Sequence, residues 1–447
     1  MGKFSLFDFF TYFLPFSLIL LCGLYLTFHS RFFQIGGLLK AFPLILKSFK
    51  SRKEKAEEFS SFKAFSTSLS STVGTGNIVG VASAVVLGGA GAVFWMWVAA
   101  FFGMIIKYFE ITLAAIHSEN GEGPISYIKK ALPKSLNFIV SIFAVFLLFS
   151  SFFSGNILQV NVFVTSLEVK NETQIFISLL FGFAVFLSLS KGVKSIGALC
   201  EKLTPFMTFL YIFVSFCVIL KNIDYLPYCF KMIIKGAFRP SAVTAGAVGQ
   251  ITKVIFIGTS RGLFSNEAGL GTAAVAHSNA SDKESKVQGI FGIFEVFCDT
   301  VVICTLTALT ILCSRVNINY GSDSGALLVE SALSVSFGGF SKIILSLLLC
   351  VFSFSSVIGW ALYGKVAFSH IKPNWDTSLF FKIYPAFCVL GGILKPSLIW
   401  EISAFLNAAL LICNIPAIIY FSDSINFSKG RKNNVFKKNR KSNRKIK

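Results

Sequence analysis

Apolar residues along this chain come in long runs divided by short polar or glycine-rich segments, and nothing between them reads as a parallel sheet. Crossing a hydrocarbon core as helix takes roughly 20 apolar residues. The pattern predicts eleven such spans, near 10–28, 66–86, 91–116, 136–165, 173–190, 200–220, 243–276, 288–313, 340–364, 377–393 and 398–421. Two of them are not simple rods. The second contains STVGTGN (71–77), and the seventh contains IGTSRGLFSNEAGLGTAAVAH (257–277). Non-helical backbone in a bilayer must be buried in protein or line a watery cavity, because an unpaired amide in hydrocarbon costs several kcal/mol.

Gly76 and Gly80 alone would be explained as a small-x-x-x-small packing face. That leaves Ser70, Ser71, Thr72, Thr75 and Asn77, clustered on the same turns, without a reason. A dinucleotide-binding loop needs a strand and a βαβ unit around it. A broken membrane helix explains more. With the first span set aside, ten remain, five and five, and each half opens with its interrupted helix. Paired broken segments at corresponding places are the mark of an inverted-repeat transporter with its site at the bilayer midplane. The implied division is 1–65 for a membrane helix and basic loop, 66–222 and 223–421 for the repeats, and 422–447 for a basic tail.

Composition agrees with the membrane class: 54% of residues are hydrophobic, 14% are charged and 52 are phenylalanine, with a mean hydropathy of +0.72. The formal net charge is +20, and half of it lies in the tail, which has ten basic residues in SKGRKNNVFKKNRKSNRKIK. Residues 31–63 add eight basic residues against three acidic ones. Basic loops stay cytoplasmic, so both segments are expected there, with the N-terminus outside. The segment 221–241, with four basic residues, is expected as a longer outer connection. The tail fits anionic lipid head groups better than nucleic acid, since no folded module accompanies it. The ten cysteines and four histidines show no metal-ligand or disulfide spacing. The run GTSRG (258–262) matches a nucleophile-elbow pattern, but Ser260 has no histidine expected in reach, and His277 is expected at the membrane surface. The charged residues Lys107, Glu110, Glu295 and Asp299 are expected near cytoplasmic helix ends, where pairing or snorkelling accounts for them as well as a cation pathway does.

Several stretches in order resemble the alanine or glycine:cation symporters of bacteria and archaea, within the amino acid-polyamine-cation superfamily. They are GTGNIVGVA, GGAGAVFWMWVAAFFG (88–103), GNILQVN (155–161), TSRGLFSNEAGLG, FEVFCDT (294–300) and FSFSSVIGW (352–360). The resemblance implies an all-α leucine-transporter-type fold of one extra helix plus 5+5 repeats. It also implies import of a small neutral amino acid together with a cation, usually sodium. There is no enzymatic activity and no resident cofactor in that reading. A prokaryotic inner membrane would be its place. Proton coupling, and more remotely a channel, remain alternatives.

A zwitterion needs N–H groups for its carboxylate and acceptors for its ammonium, and a broken helix offers both. The expected pocket is Gly74, Thr75, Gly76 and Asn77 with Phe264, Ser265 and Asn266. Gln159 adds an amide, Phe163 stands one turn on, and Trp360 is a candidate lid. The resemblance further implies a sodium site at the hydroxyls of Ser355 and Ser356, with carbonyls near Thr72 and Val73. Two serines on a membrane helix can equally bond back to their own helix. Ala90 and Lys365 depart from the family pattern, which usually has proline and an acidic residue there.

Overall fold

The computed structural model describes residues 7, 9–51, 59–118, 120–240, 244, 250–281, 284–321, 325–425 and 427. The basic cluster of the tail, from residue 428 onward, lies outside the described residues.

Every regular element among the described residues is helical. In chain order they are α1 (Phe9–His29), α2 (Phe33–Ser51), α3 (Ser61–Thr72), α4 (Thr75–Gly88) and α5 (Gly91–His117). Then come α6 (Pro124–Ala131), α7 (Lys134–Ser166), α8 (Asn171–Leu189), α9 (Val193–Lys221), α10 (Leu226–Phe238), α11 (Ile251–Asn266) and α12 (Thr272–Ser278). The last five are α13 (Ser285–Cys313), α14 (Gly325–Phe337), α15 (Ser341–Ile371), α16 (Ser378–Gly391) and α17 (Pro396–Tyr420).

Helices α3 and α4 form one span, bent by 55° at the break. The second interruption separates α11 from α12. Each broken span packs on long helices: α3 on α9 and α15, α11 and α12 on α5. Among the described residues nine of the eleven expected spans meet helices long and apolar enough to cross a membrane, counting α3 with α4 as one; α16 is shorter than a full crossing, and the seventh is the broken pair α11 and α12, covering 251–278 rather than 243–276.

Three connections turn out to be structured. Residues 33–51, expected as a basic loop, form α2, with Ile35, Leu39, Phe42, Leu46 and Phe49 exposed along it and its opposite side packed on α13. The expected outer connection 221–241 contains α10, which closes over the start of α5: a Cβ on Gly91 would stand 2.1 Å from the Gly236 carbonyl carbon. Helix α14 packs against α4. The long apolar runs concealed two further features, the π segments Phe153–Ile157 in α7 and Phe297–Cys304 in α13. Such bulges re-aim side chains and gather at functional sites. Here they turn Ser154 and Asp299 toward the breaks.

Lys107, Glu110, Glu295 and Asp299 are all fully buried, which rules out snorkelling at helix ends. Their packing inside the bundle is the physical correction: Lys107 sits well within α5, next to both broken spans. His277, expected at the surface, is fully buried as well. Lys365 lies within α15, six residues before its end.

Candidate functional site

The first break begins where α3 runs out of helix-forming residues. Thr72 returns its hydroxyl to Ser68 O at 2.8 Å, Val73 turns extended, and Gly74 follows with φ −131° and ψ −162°. Asn77 then folds back so that its Oδ1 accepts from the Gly74 amide at 2.9 Å. Gln159 Oε1, from α7, accepts from both the Thr75 amide (3.1 Å) and the Thr75 hydroxyl (2.9 Å). A Cβ at position 74 would lie 2.7 Å from Ser356 Oγ and 2.8 Å from Gln159 Oε1, so both side chains would have to shift to admit one.

The second break is held by charge. Asn266 ends α11, and Glu267 takes a left-handed conformation with φ 53°. Lys107 Nζ donates to Asn266 O at 2.8 Å. Three residues on along α5, Glu110 Oε2 accepts from the Gly269 and Gly271 amides at 3.0 and 3.2 Å. The cation thus meets the carbonyl end of α11 and the anion meets the amide end of α12, each matching its helix dipole. Asn414 on α17 adds a 2.9 Å donation to Gly269 O.

Asn77 ties the two breaks together. Its Nδ2 donates to Ser265 Oγ (2.9 Å) and to Asp299 Oδ1 (2.6 Å), while Ser265 donates to Asp299 Oδ2 at 2.6 Å.

Between the breaks lies a cavity with about 280 Å³ of empty space. Of the residues expected at the pocket, it is lined by Gly74, Gly76, Gln159, Phe264, Ser265 and Trp360. Thr75, Asn77 and Asn266 stand behind that lining, holding the breaks. Phe163 packs on Phe181, ring centroids 5.9 Å apart, and is not among the lining residues. The lining also includes Ser71, Thr72, Ser154, Glu267 and Asn407, which sequence reasoning had not placed there. The isolated Asn407 in the apolar run of α17 was the available signal. Ser154 Oγ and Asn407 Oδ1 are buried without a hydrogen-bond partner among the described residues, so both are available to a ligand. Glu267 is the one ionisable residue in the lining, its Oε2 accepting from Thr272 at 2.6 Å.

Two aromatic residues wall the cavity. Trp360 donates its indole N–H to Ser71 O at 3.2 Å and rests on Gly155, where a Cβ would fall 2.3 Å from its ring. Phe264 packs on Trp400 at 4.8 Å, and the Arg261 guanidinium lies over the Trp400 ring, 4.2 Å from its centroid. A larger apolar space of about 400 Å³ between α1, α5 and α11 includes Ser260 in its lining. It stands apart from the breaks, and His277 faces Glu295 and Gln288 instead.

On the far side of Gly74, Ser356 Oγ donates to Ser70 O at 3.1 Å and reaches Val73 O at 3.4 Å. Ser355 Oγ turns to Phe352 O (3.0 Å) and Met207 Sδ (2.9 Å), and its own carbonyl accepts from Ser70 Oγ at 2.9 Å. Ser356 Oγ thus lies between two main-chain carbonyls of the first broken span.

Two interrupted helices facing each other inside a bundle of long helices define a secondary transporter of the leucine-transporter type. The fold is shared with the amino-acid-bound structure of MhsT in complex with L-phenylalanine, at a TM-score of 0.61 over 80% of this chain and 88% of that one, with 16% identity. The profile of the sodium:alanine symporter family matches residues 5–446, and the chain belongs to that family. Sodium/alanine symporter AgcS of Methanococcus maripaludis is 35% identical over 427 residues, covering 91% of this chain and 92% of that one. Probable sodium/glutamine symporter GlnT of Bacillus subtilis is 34% identical over 416 residues, covering 91% and 84%. The protein is therefore a multi-pass membrane symporter of the sodium-coupled amino-acid class.

Proposed function

We propose that the chain imports a small neutral amino acid, alanine or glycine, together with sodium by alternating access. The observation that carries this reading is the cavity at the first break. Its glycine backbone permits close approach, its walls are Phe264 and Trp360, and Ser154 Oγ and Asn407 Oδ1 in its lining have no partner among the described residues. The amides of Gly74 and Thr75 take the substrate carboxylate by exchanging their neutral bonds to Asn77 Oδ1 and Gln159 Oε1 for it. Glu267 and the hydroxyl groups of Ser71 and Thr72 receive the ammonium. Thr75, Asn77, Asn266 and Phe163 act from behind the lining, by setting its shape.

Sodium, as co-substrate, sits among Ser356 Oγ, Ser70 O and Val73 O, with Ser355 joining by rotation away from Phe352 O and with the Thr72 carbonyl nearby. One sodium ion entering down about 150 mV and a tenfold gradient releases about 5 kcal/mol, enough to sustain roughly three and a half decades of alanine gradient.

The end bearing α2 and the start of α3 faces the cytoplasm, and α10 and α14 face outward. This orientation places the N-terminus outside, and it puts the basic tail on the anionic inner leaflet of a prokaryotic plasma membrane. The repeats divide as 66–222 and 223–421. The test is uptake into proteoliposomes with alanine, glycine, glutamine and leucine as competing substrates, under sodium and proton gradients imposed separately. Preferential sodium-driven alanine or glycine uptake supports the reading. Uptake driven by a pH gradient alone makes it a proton symporter, and preferred glutamine changes the substrate.

A further inference from the structure

Outside the cavity, a group of buried polar side chains lies toward the end that carries α2, and Glu295 is its centre. Glu295 is fully buried on α13. Its Oε2 accepts from Ser68 Oγ of α3 at 2.8 Å, and its Oε1 accepts from His277 Nε2 of α12 at 2.7 Å. Lys107 Nζ stands 3.9 Å from the same carboxylate while donating to Asn266 O at the end of α11. His277 Nδ1 is 2.6 Å from Gln288 Oε1, and the Gln288 amide donates to Ser61 Oγ of α3 at 2.8 Å. One carboxylate therefore joins halves of two different broken helices to the scaffold helix between them.

We propose that Glu295 is a positioning residue that latches α3 and α12 shut at this end, and that its bonds to Ser68 and His277 part when the site opens there. The proposal rests on the alternating-access reading above. Ser68 lies two residues before Ser70, whose carbonyl faces Ser356. Helix α3 is thus held from two sides, by the cation oxygens toward α15 and by the carboxylate toward α13. Loss of sodium frees one side and leaves the latch as the remaining restraint. A buried carboxylate cannot give up its donors without replacement, so parting requires water to enter from that end. Opening and hydration become one event. A bond network that only supports the fold would stabilise both ends alike.

The experiment compares hydrogen exchange of the full-length wild type and Ser68→Ala in lipid nanodiscs, with and without sodium. Removing one hydrogen bond shifts the closed-to-open ratio by about fivefold. In Ser68→Ala, exchange in α3 and α12 should rise by about that factor while α4 and α11 stay unchanged. Sodium should slow exchange of the same two helices in the wild type. His277→Gln should raise exchange in α3 as well, and the double variant should exceed neither single one by much, because both bonds end on one carboxylate. Equal increases at α4 and α11, no increase at all, or additive effects in the double variant would overturn the latch. Because none of these readings uses transport, a wrong substrate assignment leaves them intact. Lack of a sodium effect in an otherwise selective Ser68→Ala response would instead count against the sodium reading.

Discussion

The two helix breaks face each other across one cavity but are built from opposite chemistry. The first is capped by neutral amides: Asn77 Oδ1, with its Nδ2 anchored on Asp299, caps the Gly74 amide, and Gln159 Oε1 takes both donors of Thr75. The second is clamped by ions from a single helix, with Lys107 on Asn266 O and Glu110 on the Gly269 and Gly271 amides. Neutral amide bonds exchange readily with a ligand of similar polarity. Buried ionic caps do not, because each partner left behind is an uncompensated charge. The first break is therefore the one able to rearrange around substrate and cation, and the second is a strut against which it works. An amide pair at the start of α12 would otherwise invite a substrate carboxylate. Glu110 already occupies it.

That contrast breaks most visibly at the strut. Glu110→Gln leaves Lys107 and the α12 amides poorly matched, and Lys107→Met leaves Glu110 and Glu295 without their cation. Each should cost about 3–5 kcal/mol of stability, read as loss of monodisperse protein or a large drop in Tm in detergent. A variant of normal stability that merely binds substrate poorly would place the ligand at the second break instead.

At the first break the largest effect belongs to Gly74→Ala. Its methyl would press on Ser356 Oγ and Gln159 Oε1 together, so alanine and sodium binding should both be lost to calorimetry while Tm changes by only a few degrees. Gly76→Ala meets only the edge of Phe264, at 3.2 Å, and should weaken substrate binding without touching sodium. Equal effects of the two substitutions on sodium would detach Ser356 from the cation.

The serine pair sharpens the picture further. Ser356→Ala removes the hydroxyl that meets Ser70 O and Val73 O, and the sodium concentration for half-maximal uptake should rise about tenfold, the equivalent of one charge-assisted contact. Ser355→Ala should shift it less, since that hydroxyl bonds to its own helix. The smallest expected change is in selectivity. Phe264→Ala should admit leucine as a competitor of alanine, relieving a misfit of about 1–3 kcal/mol. Unchanged exclusion of leucine would move the selective wall to Trp360.

Much of this arrangement was legible in the chain. Glycines and hydroxyl residues inside STVGTGN, and the polar, glycine-containing run SNEAGLG with its one charge at Glu267, mark both breaks because membrane helices seldom tolerate them without purpose. Which side chains face inward was less legible. Phe163 follows Gln159 by one turn of regular helix, yet it packs on Phe181 of α8 and stays out of the lining, a contact set by the tertiary fold. The π segment Phe153–Ile157 contains Ser154, which does enter the lining. Lys107 and Glu110 looked like helix-end charges because their partners, backbone groups some 160 residues away, are set by the tertiary fold alone. The same holds for His277, whose buried place depends on Glu295 and Gln288 arriving from α13.

The most direct test of the division between a responsive first break and a fixed second one is hydrogen exchange at the two breaks, followed through a titration of sodium and alanine. Residues 71–78 should become several-fold more protected as each is added, and residues 266–272 should be strongly protected throughout and nearly indifferent to both. Protection that rises equally at 266–272, or that ignores sodium at 71–78, would contradict that division of labour.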